Sequence, residues 1–495
     1  MKDMVLRLVL PVALGALALG ARAAGVRWED SIVTVEVTQK DYDFLQPWTK
    51  RMAHHLKTGV VVAPSRVLTT AEHLNDLTLV RIQKGGHGQW WDGALQWIDY
   101  HANLALVTAT ATNLWRGLKP ARLADPVPLK GGSRFLRWHE GNLEKRKAEI
   151  ARFTVKHAHL SFLDLPFLEA DSELNEGGRA EALVSDTQLL GLACAQDRTT
   201  CTVIPASFIR FVLQAADTKP PRRLGFFDFV WQRTENTAIH AYLGLPGEPR
   251  GVVVTDYATG AGKSDLVRPH DLILEVEGFK IDTAGNYTDP HYGQLLLENL
   301  ATRGKWAGDT VRLRVWRQGA MRQVDYLLPA AEYGAELVPQ AVYDREPEFL
   351  MVGGLVFEPL TEAYLRSWGG DWRRKAPFRL GYYEREKPTP ERPARVVLSL
   401  VLPDPFNLGY EDSHFMALDK VNGQPVSRLS ELAAALRHPK DGYHLLEFGG
   451  GESLRRMVID AAEAETATRR VMQQYRLDKD RFLAPEQPPG PTRER

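Results

Sequence analysis

The residues able to do chemistry fall into a few groups. Glu72, followed by His73, and Glu176, inside Leu174-Asn175-Glu176-Gly177-Gly178, each supply a carboxylate. Two such groups, brought together by the fold, can act as general acid and base or as metal ligands. Two close carboxylates also resist joint ionisation, so one of them would hold a proton. Ser172 is the hydroxyl nearest Glu176 in sequence, and four residues away it cannot occupy the same turn. His54, His55, His157 and His159 are the other candidate ligands. Adjacent or alternating histidines with no Cys or carboxylate at ligand spacing read as surface or strand residues, so neither a metal nor a cofactor is expected. The two cysteines, Cys194 and Cys201, have six residues between them. In an oxidising compartment such a pair can bridge the arms of a hairpin, so a disulfide is expected, with two buried free thiols as the alternative.

These residues sit among short apolar runs bounded by turn formers: Ser31 to Thr38, Gly59 to Ala63, Leu77 to Ile82 and Leu104 to Thr108. That pattern predicts an all-β barrel or sandwich. Thr218 to Arg223, with paired prolines at 220 and 221, reads as a linker, because proline stops helices and favours extended chain. The 495 residues suffice for about three domains. Lys plus Arg and Asp plus Glu number 62 each, so no basic field exists to attract nucleic acid. Lys2 and Arg7 precede an apolar run from Leu8 to Gly20, and Ala21-Arg22-Ala23 follows. This predicts a cleaved signal peptide over 1–23 and an exported chain, periplasmic or secreted, with an uncleaved anchor as the alternative. The stretch from Glu463 begins charged and helical and ends Pro-rich, which predicts a mobile tail over 463–495.

Several motifs resemble the Deg/HtrA family of trypsin-like serine proteases with two PDZ domains. Thr58-Gly59-Val60-Val61-Val62 and Val67-Leu68-Thr69-Thr70-Ala71-Glu72-His73 resemble the strand, turn and histidine segment of that family. His101-Ala102-Asn103-Leu104-Ala105-Leu106 resembles its aspartate strand, and Leu174 to Gly178 its nucleophile loop. Ala182-Leu183-Val184 with Leu189 to Leu192 resembles the last hairpin of a trypsin-like protease barrel, and Thr202 to Ile209 resembles the segment that leads such a barrel into its closing helix. The resemblance places Glu72 at the general base, Asn103 at the orienting aspartate and Glu176 at the nucleophile, with His73 one residue late. A carboxylate cannot serve as the activated hydroxyl, and an amide lacks the charge that stabilises an imidazolium. Leu174, Asn175 and Gly177 fall in the former oxyanion region, and Leu174 replaces a glycine there. The resemblance therefore implies a trypsin-like double barrel over 27–216 with all three triad positions substituted: a pseudoprotease, with no catalytic residue assigned.

Leu224-Gly225-Phe226-Phe227 resembles the carboxylate-binding loop of a PDZ domain, and Gly251 to Val254, Leu266 to Leu274 and Glu277-Gly278 continue that pattern. This implies a first PDZ domain over 222–332 that adds a peptide to its sheet edge, with a groove filled by its own chain as the alternative. Phe349 to Thr361, Trp368 to Trp372, Val396 to Leu402 and Lys420 to Val426 resemble the atypical second PDZ of the plant-type Deg branch, an assembly module, over 345–462. The fold class is mainly β: a double barrel followed by two α+β PDZ domains. The function implied is binding of peptides, protein C-termini or unfolded protein, as chaperone, adaptor or regulator. The alternative is an active endopeptidase or other hydrolase using displaced residues. By analogy a homo-oligomer such as a trimer, or assembly with an active family member, is expected.

Overall fold

The computed structural model describes residues 27–257, 266–333, 336–341, 343–449 and 454–484. The expected signal peptide lies outside the described residues. Two closed six-stranded antiparallel barrels come first. The first is built from β1 (Ile32–Tyr42), β2 (Lys50–Ala63), β3 (Arg66–Thr69), β4 (Leu77–Lys84), β5 (Trp90–Asp99) and β6 (Leu104–Ala109). Alternation in β1 turns Val33, Val35 and Val37 inward, where they meet Val61, Val67, Val80 and Ile82. Each such side chain contributes about 1.5–3 kcal/mol on burial. Gly59 is required by this packing, since a Cβ there would lie 2.4 Å from Val67 Cγ1.

The second barrel comprises β7 (Ser133–His139), β8 (Asn142–His157), β9 (Asp164–Ser172), β10 (Ala182–Val184), β11 (Leu189–Asp197) and β12 (Thr200–Pro205), closed by α1 (Ala206–Val212). A shared apolar layer welds the barrels: Ile32, Val60, Leu68 and Leu104 from the first pack with Leu136, Leu165, Val184 and Leu192 from the second.

The next unit is a twisted antiparallel sheet in the order Phe229–Gln232, Val252–Tyr257, Leu272–Val276, Thr310–Arg317, Ala320–Leu327. Phe229–Gln232 is its edge strand. A one-turn helix, Asn299–Thr302, flanks it. The last unit is an eight-stranded sheet with Val396–Val401 and Leu355–Pro359 near its middle.

One boundary differs from expectation. The atypical PDZ does not end at 462, and residues 464–482 are not a tail: helix Ala464–Tyr475 and strand Arg481–Phe482 complete the sheet, the strand pairing with Phe349 and Leu350. Beneath the charged face of the helix lies a stripe of Ala464, Ala467, Thr468 and Val471, all buried. Val471 packs on Met351, Val356 and Leu402, and Thr468 Oγ1 accepts the Gly353 N–H at 2.8 Å. Residues 485–495 of the expected tail lie outside the described residues. No helix among the described residues is long and apolar enough to cross a membrane.

Candidate functional site

Glu72 and His73 lie in the loop between β3 and β4, both half-buried, and Asn103 lies in the turn between β5 and β6. The fold brings Glu72 and Asn103 together: the Glu72 N–H donates to Asn103 Oδ1 at 2.9 Å. Asn103 holds a left-handed backbone (φ +53°) that asparagine tolerates better than most residues. His73 (φ +64°) turns away from Asn103 to stack face-on upon His55 of β2, with ring centroids 3.8 Å apart. Burial pushes the His73 imidazole down to about 4, against the pull of Glu72, so it is neutral at ordinary pH.

Two groups that the sequence reading did not assign to this centre complete it. Lys57 of β2 is buried, and its Nζ donates to the Thr70 carbonyl at 2.8 Å and to the Glu72 carbonyl. Burial pushes this amine down to about 7, although Glu72 and Glu181 act the other way. His159 Nε2 lies 3.4 Å from Glu72 Oε1. Burial works to raise the Glu72 carboxyl, but the bond to His159, with His73 and Lys57 nearby, outweighs it and holds the group below the ordinary carboxylate range. The same bond raises the His159 imidazole. No pattern around Lys57 in the sequence distinguishes it from an exposed strand lysine.

Glu176 is not part of this cluster. Among the described residues no hydrogen bond or ion pair joins it to Glu72 or Asn103. It is exposed, with a left-handed backbone (φ +52°), and its carbonyl faces Arg137 Nη1 at 3.4 Å. Asn175 is likewise exposed, while Leu174 is buried in the second barrel's core. The N–H groups that follow are already taken. Gly177 donates to Gln196 Oε1, while Gly178 and Arg179 both donate to Glu181 Oε2 at 2.8 Å. Gln196 also ties down the Leu174 carbonyl at 2.6 Å. Gly178 (φ +100°) has no room for a side chain, since a Cβ would lie 2.9 Å from Ala195 Cα. A resident carboxylate thus occupies donors that could otherwise receive an anion.

The expected disulfide is not formed: Cys194 and Cys201 are free and buried. They lie on facing strands of one hairpin, but Cys201 joins the barrel interior and Cys194 the layer between barrels, so the thiols point to opposite faces. Cys194 Sγ donates instead to the Thr202 carbonyl. Burial pushes both thiols up to about 12, which makes them poor nucleophiles. Among the described residues no three His, Cys, Asp or Glu are grouped to hold a metal.

A cleft of about 610 Å³ beside His159 and Cys194 is roofed by the chain leading to the last sheet. Tyr333 stacks on His101 at 3.9 Å and Tyr343 on Tyr100 at 4.0 Å. Both tyrosine hydroxyls donate to the Leu160 carbonyl, at 2.6 and 3.2 Å. Asp344 accepts from the Asp76 N–H and the Tyr100 hydroxyl, at 2.8 and 2.7 Å.

A second opening, about 360 Å³, lies between edge strand Phe229–Gln232 and helix Asn299–Thr302. Gly225, Phe226 and Phe227 line it. Leu224 does not: it is buried against the barrels, and its carbonyl accepts the Ala331 N–H at 3.0 Å. Phe162 of the second barrel closes one end, packed edge-on to Phe226 at 5.2 Å.

A family model described as a PDZ domain matches residues 338–482. Protease Do-like 2, chloroplastic, of Arabidopsis thaliana is 23% identical over 469 residues, covering 91% of this chain and 74% of its own length. Protease Do-like 4, mitochondrial, of the same plant is 22% identical over 465 residues, covering 90% and 84%. Among solved structures, HtrA-type protease AlgW with decapeptide aligns with TM-score 0.47 and 16% identity, over 61% of this chain and 96% of that one.

Proposed function

We propose that this chain, a Deg/HtrA family protein carrying a PDZ domain, is a non-catalytic member that binds peptide segments of other proteins through its first PDZ-like module. The observation that carries the reading is the identity of three residues. Glu72, Asn103 and Glu176 stand where the family places its base, its orienting aspartate and its nucleophile. Glu176 offers no hydroxyl to activate and Asn103 no charge to stabilise an imidazolium, so the three cannot run the serine mechanism together. The loop around Glu176 is also held by the chain itself, since Gly178 and Arg179 both donate to Glu181. The binding half of the proposal is supported by the unpaired outer edge of Phe229–Gln232, onto which an extended peptide can add as a strand.

The contact between Glu72 and His159 favours a second reading, a hydrolase using displaced residues. Cys194 would not be its nucleophile, because burial holds that thiol near 12. We assign the protein to an exported compartment on the charge and apolar pattern of residues 2–23, and to a homo-oligomer or an assembly with an active relative by analogy.

The test pairs fluorophosphonate labelling with turnover and binding of unfolded casein by the full chain. Binding without labelling or turnover is expected. Turnover abolished by Glu72→Ala or His159→Ala would establish the second reading and overturn the first.

A further inference from the structure

The groove beside Phe229–Gln232 differs in charge from a site built for a peptide carboxylate. Two acidic residues line it, Glu298 just before helix Asn299–Thr302 and Asp164 at the start of β9. Among the described residues lining it there is no lysine, arginine or histidine. His157 approaches Asp164 at 3.8 Å from the solvent side, where both side chains are partly exposed. One Glu298 oxygen accepts from Trp231 Nε1 at 2.6 Å. The other, Oε2, is buried and has no partner. A buried carboxyl oxygen left unpaired costs about 1–3 kcal/mol, more if charged, so this atom awaits a donor.

Burial pushes the Glu298 carboxyl up to about 7, and the charge of Asp164 adds to that. Burial raises Asp164 as well. Two desolvated carboxyls in one cavity are relieved either by taking up protons or by a positive charge placed between them, and the second keeps both ionised. The walls suit the same ligand. Phe162, Phe226, Phe229 and Trp231 surround the opening, and aromatic faces attract an ammonium or guanidinium while packing on its alkyl stem.

We infer that this groove is a cation-recognising peptide site: it takes an extended segment that carries a lysine or arginine side chain, whose charged head lies between Glu298 and Asp164. The inference rests on the proposal that this module binds peptide, and it names the class of peptide. Strand addition along Phe229–Gln232 supplies affinity without regard to sequence, and the two carboxyls supply the choice.

The test measures fluorescence anisotropy of three labelled hexapeptides with the full chain. The first is blocked at both ends and has one lysine among alanines and valines. The second replaces that lysine with norleucine, and the third is the norleucine peptide with a free carboxyl terminus. The lysine peptide is expected to bind at least about tenfold tighter than its norleucine twin. Glu298→Gln, which preserves the acceptor for Trp231, and Asp164→Asn should each erase most of that preference with unchanged circular dichroism. Tight binding of the free-carboxyl peptide with no lysine preference would overturn the inference and leave the peptide-binding proposal standing. A lysine preference that survives both substitutions would overturn the assignment to this groove. Failure of all three peptides to bind would overturn the peptide-binding proposal itself.

Discussion

Replacing Lys57 by methionine should change how the stability of the barrels depends on pH more than it changes stability itself. The amine is fully buried, and it drops from an ordinary 10.5 to about 7 in the folded chain. At about 1.4 kcal/mol per tenfold in the proton equilibrium, that gap corresponds to about 5 kcal/mol. The direction follows from proton counting. Below about pH 7 the amine is charged both folded and unfolded, and the folded state carries the whole burden of burying it. From about pH 7 to 10.5 the unfolded chain binds the extra proton, so the parent gains about 1.4 kcal/mol of stability for each pH unit. Lys57→Met removes this slope. It also orphans the Thr70 and Glu72 carbonyls that Nζ satisfies, a loss of about 1–3 kcal/mol each. At pH 7 relief of the buried charge offsets part of that loss. The variant should then fall behind the parent by about 2 kcal/mol more at pH 9 than at pH 7. Urea unfolding of both proteins at the two pH values measures this, and taking their difference cancels the titrations that Lys57 does not influence. An equal difference at both pH values would refute the reasoning, because the amine would not be titrating in that window.

Three further outcomes are expected. The His159 imidazole should titrate above its ordinary 6.5, and Glu72→Gln should bring it down; NMR titration that shows no change on substitution would break the proposed pairing. Because its folded value is the higher one, this pair stabilises below pH 6.5 and the contribution fades as pH rises through the folded value. Cys194 and Cys201 should resist a thiol reagent in the native protein and both react after unfolding without reductant; a mass two units low, marking a bridge, would contradict the structure. Val471→Ala should destabilise the last sheet by about 1–3 kcal/mol in calorimetry, since Val471 is fully buried beneath it; an unchanged transition would mean that the helix does not pack there.

The double barrel was legible in the sequence because its strands alternate strongly. The run expected at Leu104 to Thr108 falls within β6, and that at Ser31 to Thr38 overlaps β1 from Ile32 onward, where one face meets a dry core. β8 was not legible: its residues Glu144 to Lys147 are charged in succession, and its apolar positions Ala148, Phe153 and Val155 are sparse. The last helix was misread for a related reason. Its exposed face holds Glu465, Arg469 and Arg470, while small residues carry much of its buried stripe. A scan that weighs charge sees a solvated tail, whereas the spacing of Ala464, Ala467, Thr468 and Val471 fits a helix face. At the candidate site, resemblance to the family's motifs picked out Glu72 and Asn103, which the fold joins. It did not identify Lys57 or Gln196, which act by reaching backbone groups distant in sequence, or Glu181, which closes a local loop onto Gly178 and Arg179. Nor could spacing say which way a cysteine faces across a bulged hairpin, and the register shift between Ala193 and Ala195 decides that.

The two openings differ in how far their own chain already satisfies them. Around Glu176, the N–H groups of Gly177, Gly178 and Arg179 are each paired with Gln196 or Glu181, and at the cleft beside His159 the Leu160 carbonyl is already taken by Tyr333 and Tyr343. A ligand entering there would have to break bonds before making any, so its net gain would be small. At the edge strand the situation is reversed: among the described residues, one side of Phe229–Gln232 has no strand partner and the Glu298 Oε2 atom has no donor. A bound segment replaces nothing there and repairs a buried polar defect. Binding energy is therefore available in the first PDZ-like module, and an incoming strand with a cationic side chain would realise more of it than a neutral one.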